Sequence, residues 1–109
     1  MTSVPKLVRD KIPDIIQKSG KDCEFRTAAK KELSLLFLNK LQEEIHEFFN
    51  SPNVMEAADV YEVFLETLRY YSIDFSSVVN HAYYKRDEKG GFRRGIVLEI
   101  IKEKDSEDD

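Results

Sequence analysis

The 109-residue sequence contains one cysteine, only two histidines and no long hydrophobic run. The lone Cys23 excludes an internal disulfide and is typical of a protein in a reducing compartment. No segment approaches the roughly 20 apolar residues of a membrane-spanning helix, and the first residues lack the apolar core of a signal peptide. We therefore expect a cytoplasmic protein that does not engage membranes.

The chain also lacks an excess of basic residues. Its net charge is −4, and the last eight residues contribute −3 of this through five acids and two lysines. The remaining body is nearly neutral, which argues against nucleic-acid binding because that function needs a basic surface. The length predicts a single domain, over residues 1–101, followed by an acidic disordered tail over residues 102–109.

Apolar residues recur at helical spacing along most of the chain. Capping residues, Pro52 and the Gly90-Gly91 pair place the helix ends. The first three predicted helices cover residues 10–19, 28–49 and 53–71. A fourth is predicted to begin at Asp74 or Ser76 and to continue through Tyr84, with Lys89 as an alternative end. Asp10, Thr27 and Asn53 are the predicted caps of the first three, and residues 50–53 form the hairpin between the second and third.

Two short segments are rich in strand-forming residues. They are Asp22–Arg26 and Gly95–Lys102, and we expect them to pair because a single strand is unstable. The expected fold is therefore mainly α, an antiparallel bundle of about four helices with a small two-stranded β element. A second apolar stripe on the long helix (Leu35, Leu38 and Phe49) predicts that dimerisation completes the bundle.

The most informative stretch, Leu41 to Val63, carries two carboxylate clusters on consecutive predicted helices. Glu44 projects inside an apolar stripe and Glu47 lies at its edge, whereas Glu43 faces solvent. On the next helix Glu56 falls inside the corresponding stripe and Asp59 borders it. Carboxylates against a core are costly unless a cation compensates them, and oxygen ligands without cysteine or paired histidine favour Mg²⁺ or Mn²⁺ over zinc.

This pattern predicts that Glu44, Glu47, Glu56 and Asp59 converge on Mg²⁺, with Mn²⁺ as the alternative. A simpler interpretation is that glutamates favour helices and usually lie on solvated faces. The basic residues before the first helix (Lys6, Arg9 and Lys11) and those near the chain's end (Lys85 and Lys89) leave a similar choice. They are either solvated charges or ligands of phosphate groups.

Three segments in this order resemble a known family. EEIHE (43–47) followed by EAAD (56–59) fits the EExxE…ExxD signature of the MazG-like, all-α nucleoside triphosphate pyrophosphohydrolases, relatives of phosphoribosyl-ATP pyrophosphohydrolase and dimeric dUTPase. KLVRDKIPDII (6–16) and KRDEKGGF (85–92) resemble one small branch of predicted house-cleaning pyrophosphatases. The resemblance spans about residues 6–98.

The resemblance implies Mg²⁺-dependent hydrolysis of a standard or non-standard nucleoside triphosphate to the monophosphate and pyrophosphate, by a homodimer or higher homo-oligomer. It implies catalytic metal-binding roles for Glu44, Glu47, Glu56 and Asp59. Basic residues late in the family's chains correspond to Lys85 and Lys89, and Lys40 or Arg9 would also hold phosphates. One glutamate, with Glu47 a candidate, would orient or deprotonate the attacking water, although the sequence does not assign which.

Two other functions fit parts of the sequence. Glu43-x-x-His46 has the spacing found in dinuclear iron carboxylate proteins, but it occurs once where two copies are expected. A non-catalytic helical dimer with a regulatory role is the second alternative. Bound iron would support the first, and a folded protein that hydrolyses no nucleotide would support the second.

Overall fold

A computed structural model describes residues 5–105, which contain four α-helices and no β-strand. The helices are α1 (Ile12–Lys18), α2 (Leu33–Asn50), α3 (Val54–Tyr70) and α4 (Phe75–Lys89), with a 3₁₀ turn at Lys30–Glu32 before α2. The mainly α prediction is confirmed. The predicted strands at Asp22–Arg26 and Gly95–Lys102 are wrong, since both segments are irregular.

The chain divides into two units, the first ending at Phe75 and the second beginning at Ser76. The first unit is built on the packing of α2 against α3. The second contains nearly all of α4 and the segment after it. Within residues 5–105, no helix is both long and apolar enough to cross a bilayer.

The link between α2 and α3 is a three-residue turn, which makes the two helices antiparallel neighbours. Pro52 cannot continue α2, and Asn53 begins α3 with its side-chain oxygen accepting the Glu56 N–H at 3.0 Å. The Asn53 side-chain amide also donates to the Ser51 carbonyl at 2.9 Å. The predicted hairpin and its cap are therefore confirmed. This short turn places the beginning of α3 beside the last turns of α2.

Asn53→Ala should lower the free energy of unfolding by about 1 kcal/mol, because the Glu56 N–H loses its acceptor at the start of α3. For a domain of this size the melting temperature should fall by roughly 4–8 °C. Thermal unfolding followed by circular dichroism measures the change. Asn53→Ser is the matched control, since its hydroxyl can still cap the helix; equal losses in both variants would contradict a capping role.

The interface between α2 and α3 is only partly buried. Among the described residues, Leu68 is the one apolar residue that is buried, with 8 % of its surface exposed. Phe37, Leu41 and Phe48 are half-buried. The Phe37 and Tyr70 rings contact each other with centroids 5.7 Å apart. Phe37, Leu41 and Phe48 belong to the apolar stripe that the sequence predicts around Glu44, and this stripe packs toward α3. Much of the hairpin's apolar surface nevertheless remains exposed.

α2 begins later than predicted. Thr27 does not cap it, because residues 21–29 are irregular and the 3₁₀ turn comes first. Glu32 fixes this turn by accepting the Ala29 N–H at 2.7 Å and both ends of the Arg26 guanidinium at 2.8 Å. The Arg26 hydrogen bond and then the Ala29 N–H lower the pKa of Glu32 to about 2.

The ends of the other helices largely follow prediction. α1 begins at Ile12, with Pro13 in its first turn, and Lys11 rather than Asp10 precedes it. α4 ends at Lys89, where Gly90 adopts a positive φ of 85° and its N–H donates to the Arg86 carbonyl at 2.8 Å. Of the predicted tail, residues 102–105 are irregular and exposed, and residues 106–109 lie outside the described part.

Candidate metal centre

Three acidic side chains meet where α2 packs against α3. Glu44 of α2 and Glu56 and Asp59 of α3 each offer a carboxylate oxygen, and these three oxygens lie within 4.8 Å of one another. Glu56 and Asp59 point the same way because residues three apart share a helix face. Among residues 5–105 this is the one group of three potential metal ligands.

The environment of these carboxylates is unfavourable for negative charge. Glu44 is 7 % exposed, and Glu56 and Asp59 are partly buried. One oxygen of Glu44 and one of Glu56, Oε2 in each, are buried and accept no hydrogen bond from any group in the described part of the chain. Buried oxygens left without a donor are destabilising, and a bound cation would supply the missing interaction.

The pKa of Glu44 reflects this environment. Burial raises it, the hydrogen bond and charge of Lys40 lower it, and the charges of Glu47 and Asp59 raise it further, so that the net shift is upward. A divalent cation would act in the opposite direction, because it stabilises the ionised form of every carboxylate that it contacts. The donor set and the orphaned oxygens therefore fit Mg²⁺ or Mn²⁺.

Two of the predicted basic residues lie at this cluster. Lys40 Nζ is 2.8 Å from Glu43 Oε1 and 3.2 Å from Glu44 Oε1. Burial lowers the pKa of Lys40, but the hydrogen bonds to the two glutamates outweigh it and the pKa is raised. From the N-terminal segment, Arg9 Nη2 donates to Asp59 Oδ1 at 2.8 Å. The cluster is thus partly neutralised by the chain's own cations.

Glu47, the fourth predicted ligand, is not part of the three-residue group. It lies one turn beyond Glu44 on α2 and is exposed, although its charge is near enough to raise the pKa of Glu44. His46 is also exposed and lies outside the group, which gives no support to a dinuclear iron site built on Glu43 and His46.

A polar cavity of about 240 Å³ lies alongside α2, on the side of Lys40 and Glu43. Lys6 from the N-terminal segment reaches it, with Nζ 3.6 Å from Glu43 Oε2. Glu43 therefore holds two lysines beside the cluster, a role that its solvent-facing position in the sequence did not indicate. Asn39, Pro5 and Leu36 complete the lining.

The remaining predicted substrate ligands, Lys85 and Lys89, lie in the last turns of α4 in the second unit, and both are exposed. In the same helix Arg86 stacks over the Tyr83 ring, 5.3 Å from its centroid. The end of α4 thus carries three basic side chains, Lys85, Arg86 and Lys89, together with the acidic Asp87 and Glu88. These basic side chains suit the negative end of the helix dipole as well as an anionic ligand.

Comparison with known proteins gives no independent assignment. No protein-family model, curated protein or solved structure matches the chain significantly. The functional interpretation consequently depends on the cluster itself and on the motifs of the sequence.

Proposed function

We propose that this protein is a Mg²⁺-dependent nucleoside triphosphate pyrophosphohydrolase, which converts a standard or non-standard nucleotide to the monophosphate and pyrophosphate. The observation that carries the proposal is the convergence of Glu44, Glu56 and Asp59 with two buried oxygens that lack a donor. The EExxE…ExxD motif supports it, because the three acids occupy motif positions.

Glu44, Glu56 and Asp59 would hold the cation, which when bound neutralises phosphate charge and lowers the pKa of a coordinated water. The Lys40 ammonium has three N–H donors, and its two acidic partners are Glu43 and Glu44. The third donor is therefore available for a phosphate oxygen. The resemblance adds Lys85 and Lys89 as further phosphate ligands. Each would stabilise negative charge on the triphosphate.

Hydrolysis breaks the anhydride bond between the α- and β-phosphates, and the water oxygen becomes bonded to the α-phosphorus. In the proposed reaction a carboxylate would orient this water and accept its proton, while pyrophosphate leaves from the α-phosphorus. Glu47 suits this role better than the three buried or half-buried acids, because it is exposed at the edge of the cluster and is not itself part of the group. We therefore propose Glu47 as the residue that positions water rather than as a fourth ligand.

We also propose that the protein acts as a homodimer or higher homo-oligomer, in the cytoplasm. The apolar stripe predicted to be an interface is exposed in the single chain: 61 % of Leu35, 51 % of Leu38 and 74 % of Phe49. A chain with so little of its apolar surface buried gains stability if a second copy covers that stripe. The lone Cys23 supports the proposed compartment.

The proposed activity is tested by release of pyrophosphate from a panel of standard and damaged nucleotides in the presence of Mg²⁺. We expect at least one nucleotide to give equimolar monophosphate and pyrophosphate, and EDTA to stop the reaction because the cluster is then without its cation. Release of orthophosphate instead would place the cleavage at another bond. Folded protein that is inactive toward the whole panel would favour the regulatory alternative.

A further inference from the structure

Arg9 reaches the acidic cluster from a distant part of the sequence. It belongs to the irregular segment before α1, yet its guanidinium contacts Asp59, 50 residues away on α3. The contact joins one nitrogen and one oxygen, at 2.8 Å, rather than the two parallel hydrogen bonds that a guanidinium and a carboxylate can form. Arg9 is therefore a counterion of a residue that we propose to bind the metal.

This ion pair is readily broken. The Arg9 side chain is 56 % exposed and that of Asp59 39 %, so water and salt compete for both charges. Lys40 differs, since its side chain is 16 % exposed and contacts two glutamates. Of the two side-chain cations that neutralise the cluster, Arg9 is the one that can dissociate with only a small loss of free energy.

A divalent cation at the cluster would weaken the ion pair between Arg9 and Asp59. The ion would share this carboxylate with the guanidinium, and like charges a few ångströms apart repel each other. Arg9 would then be released beside the site, with all five of its N–H donors available in the geometry that suits phosphate oxygens. The same side chain can thus neutralise acid in the metal-free protein and bind phosphate in the loaded one.

We propose that Arg9 is an exchangeable counterion: it competes with the divalent cation for Asp59 and, once displaced, binds a phosphate group of the substrate. This inference rests on the proposed function, because it requires that the three-acid cluster bind a divalent cation. Through Arg9, the N-terminal segment would couple metal binding to substrate binding.

The test is the dissociation constant of Mn²⁺ for the metal-free full-length protein, measured from the electron paramagnetic resonance signal of the free ion. Arg9→Gln should bind Mn²⁺ about five- to tenfold more tightly than the wild type, because a positive charge that opposes the ion is removed. Arg9→Lys keeps the charge and should stay within about twofold. The Michaelis constant for the active nucleotide should move the other way in Arg9→Gln and rise several-fold.

Lys11→Gln is the matched control. Lys11 is an exposed cation two residues further along the same segment, and it forms no ion pair within residues 5–105. Removing its charge should change the Mn²⁺ dissociation constant by less than about twofold, because an exposed charge that is not paired with the cluster is screened by solvent and salt. Circular dichroism of each variant checks that it is folded.

The outcomes separate the inference from the proposed function. If Glu44→Gln abolishes Mn²⁺ binding but Arg9→Gln binds as the wild type does, or more weakly, then Arg9 positions Asp59 and the exchange is wrong while the metal site stands. Equal binding by wild type and Glu44→Gln, or no binding by any variant, overturns both. Tight binding that appears only after Arg9 is removed supports the exchange.

Discussion

Glu44→Gln is expected to lower Mg²⁺-dependent turnover by at least about a thousandfold, equivalent to roughly 4 kcal/mol of transition-state stabilisation. Glutamine has the same shape but no charge, so the cluster loses its most buried anionic ligand. Pyrophosphate release measures the activity, and Mn²⁺ titration should show a matching loss of affinity. Substantial activity in this variant would contradict the assignment of the metal site.

The same substitution should not destabilise the metal-free protein. Burial raises the pKa of Glu44, which means that folding disfavours its charged form. Because the unfolded chain gives up this proton at a lower pH than the folded protein does, the free energy of unfolding falls as the pH rises from the ordinary pKa of 4.5 through the raised pKa of the folded protein. In EDTA, the melting temperature of Glu44→Gln should therefore equal or exceed that of the wild type above this window, and the two should converge in acid.

Glu47→Gln provides the comparison that separates a ligand from a residue that orients water. If Glu47 positions the attacking water, the rate constant should fall while Mn²⁺ affinity stays within a few-fold of the wild type. A fourth ligand, as the sequence motif implies, would instead lose affinity and rate together. Glu44→Gln and Glu47→Gln each remove one negative charge, one helical turn apart on α2, and so compare the same change at a buried and at an exposed position.

The helices and the core of the site could be predicted because both depend on local spacing. Residues that share a helix face are fixed by the periodicity of the helix, so an acid within an apolar stripe must approach the neighbouring helix. The three-residue turn at Pro52 leaves α3 no packing partner nearer than α2. Together these constraints bring Glu44, Glu56 and Asp59 to one place without any other knowledge of the fold.

Local spacing could not decide whether the two predicted strands form. Strand propensity describes how well a side chain fits a pleated, half-buried surface, and such a surface exists only if another strand is available. Asp22–Arg26 and Gly95–Lys102 have suitable composition, but both are irregular in the structure, and Phe25 is 68 % exposed. Composition indicated a tendency, whereas pairing depends on distant parts of the chain.

One of the two counterions of the cluster depends on a similarly distant contact. Lys40 lies four residues before Glu44, so helix geometry accounts for that pair. The Arg9–Asp59 pair instead joins an irregular segment to α3, and no periodicity relates them. The sequence predicts Arg9 as a candidate phosphate ligand from its neighbourhood, but only the structure shows its carboxylate partner.

Leu38→Glu is expected to dissociate the proposed oligomer, raising the dissociation constant of the assembly by at least about a thousandfold. Leu38 is 51 % exposed and borders an open apolar groove on α2 and α3 with Leu35, Phe37 and Leu41. In a symmetric interface each subunit would bury one new unpaired carboxylate, and about 2 kcal/mol for each gives the stated change. Light scattering after size-exclusion chromatography measures the mass over a range of concentrations.

Gln17→Glu is the control for Leu38→Glu, because it adds the same charge to an exposed position of α1, outside the apolar stripe. It should leave the mass of the assembly unchanged. If the wild type is monomeric at every concentration, or if Leu38→Glu retains the full mass, the exposed stripe of α2 is not the interface. If Leu38→Glu both dissociates the assembly and lowers the melting temperature, the hairpin of α2 and α3 depends on the neighbouring subunit for stability. The reason is that dissociation exposes the apolar surface of α2 to water.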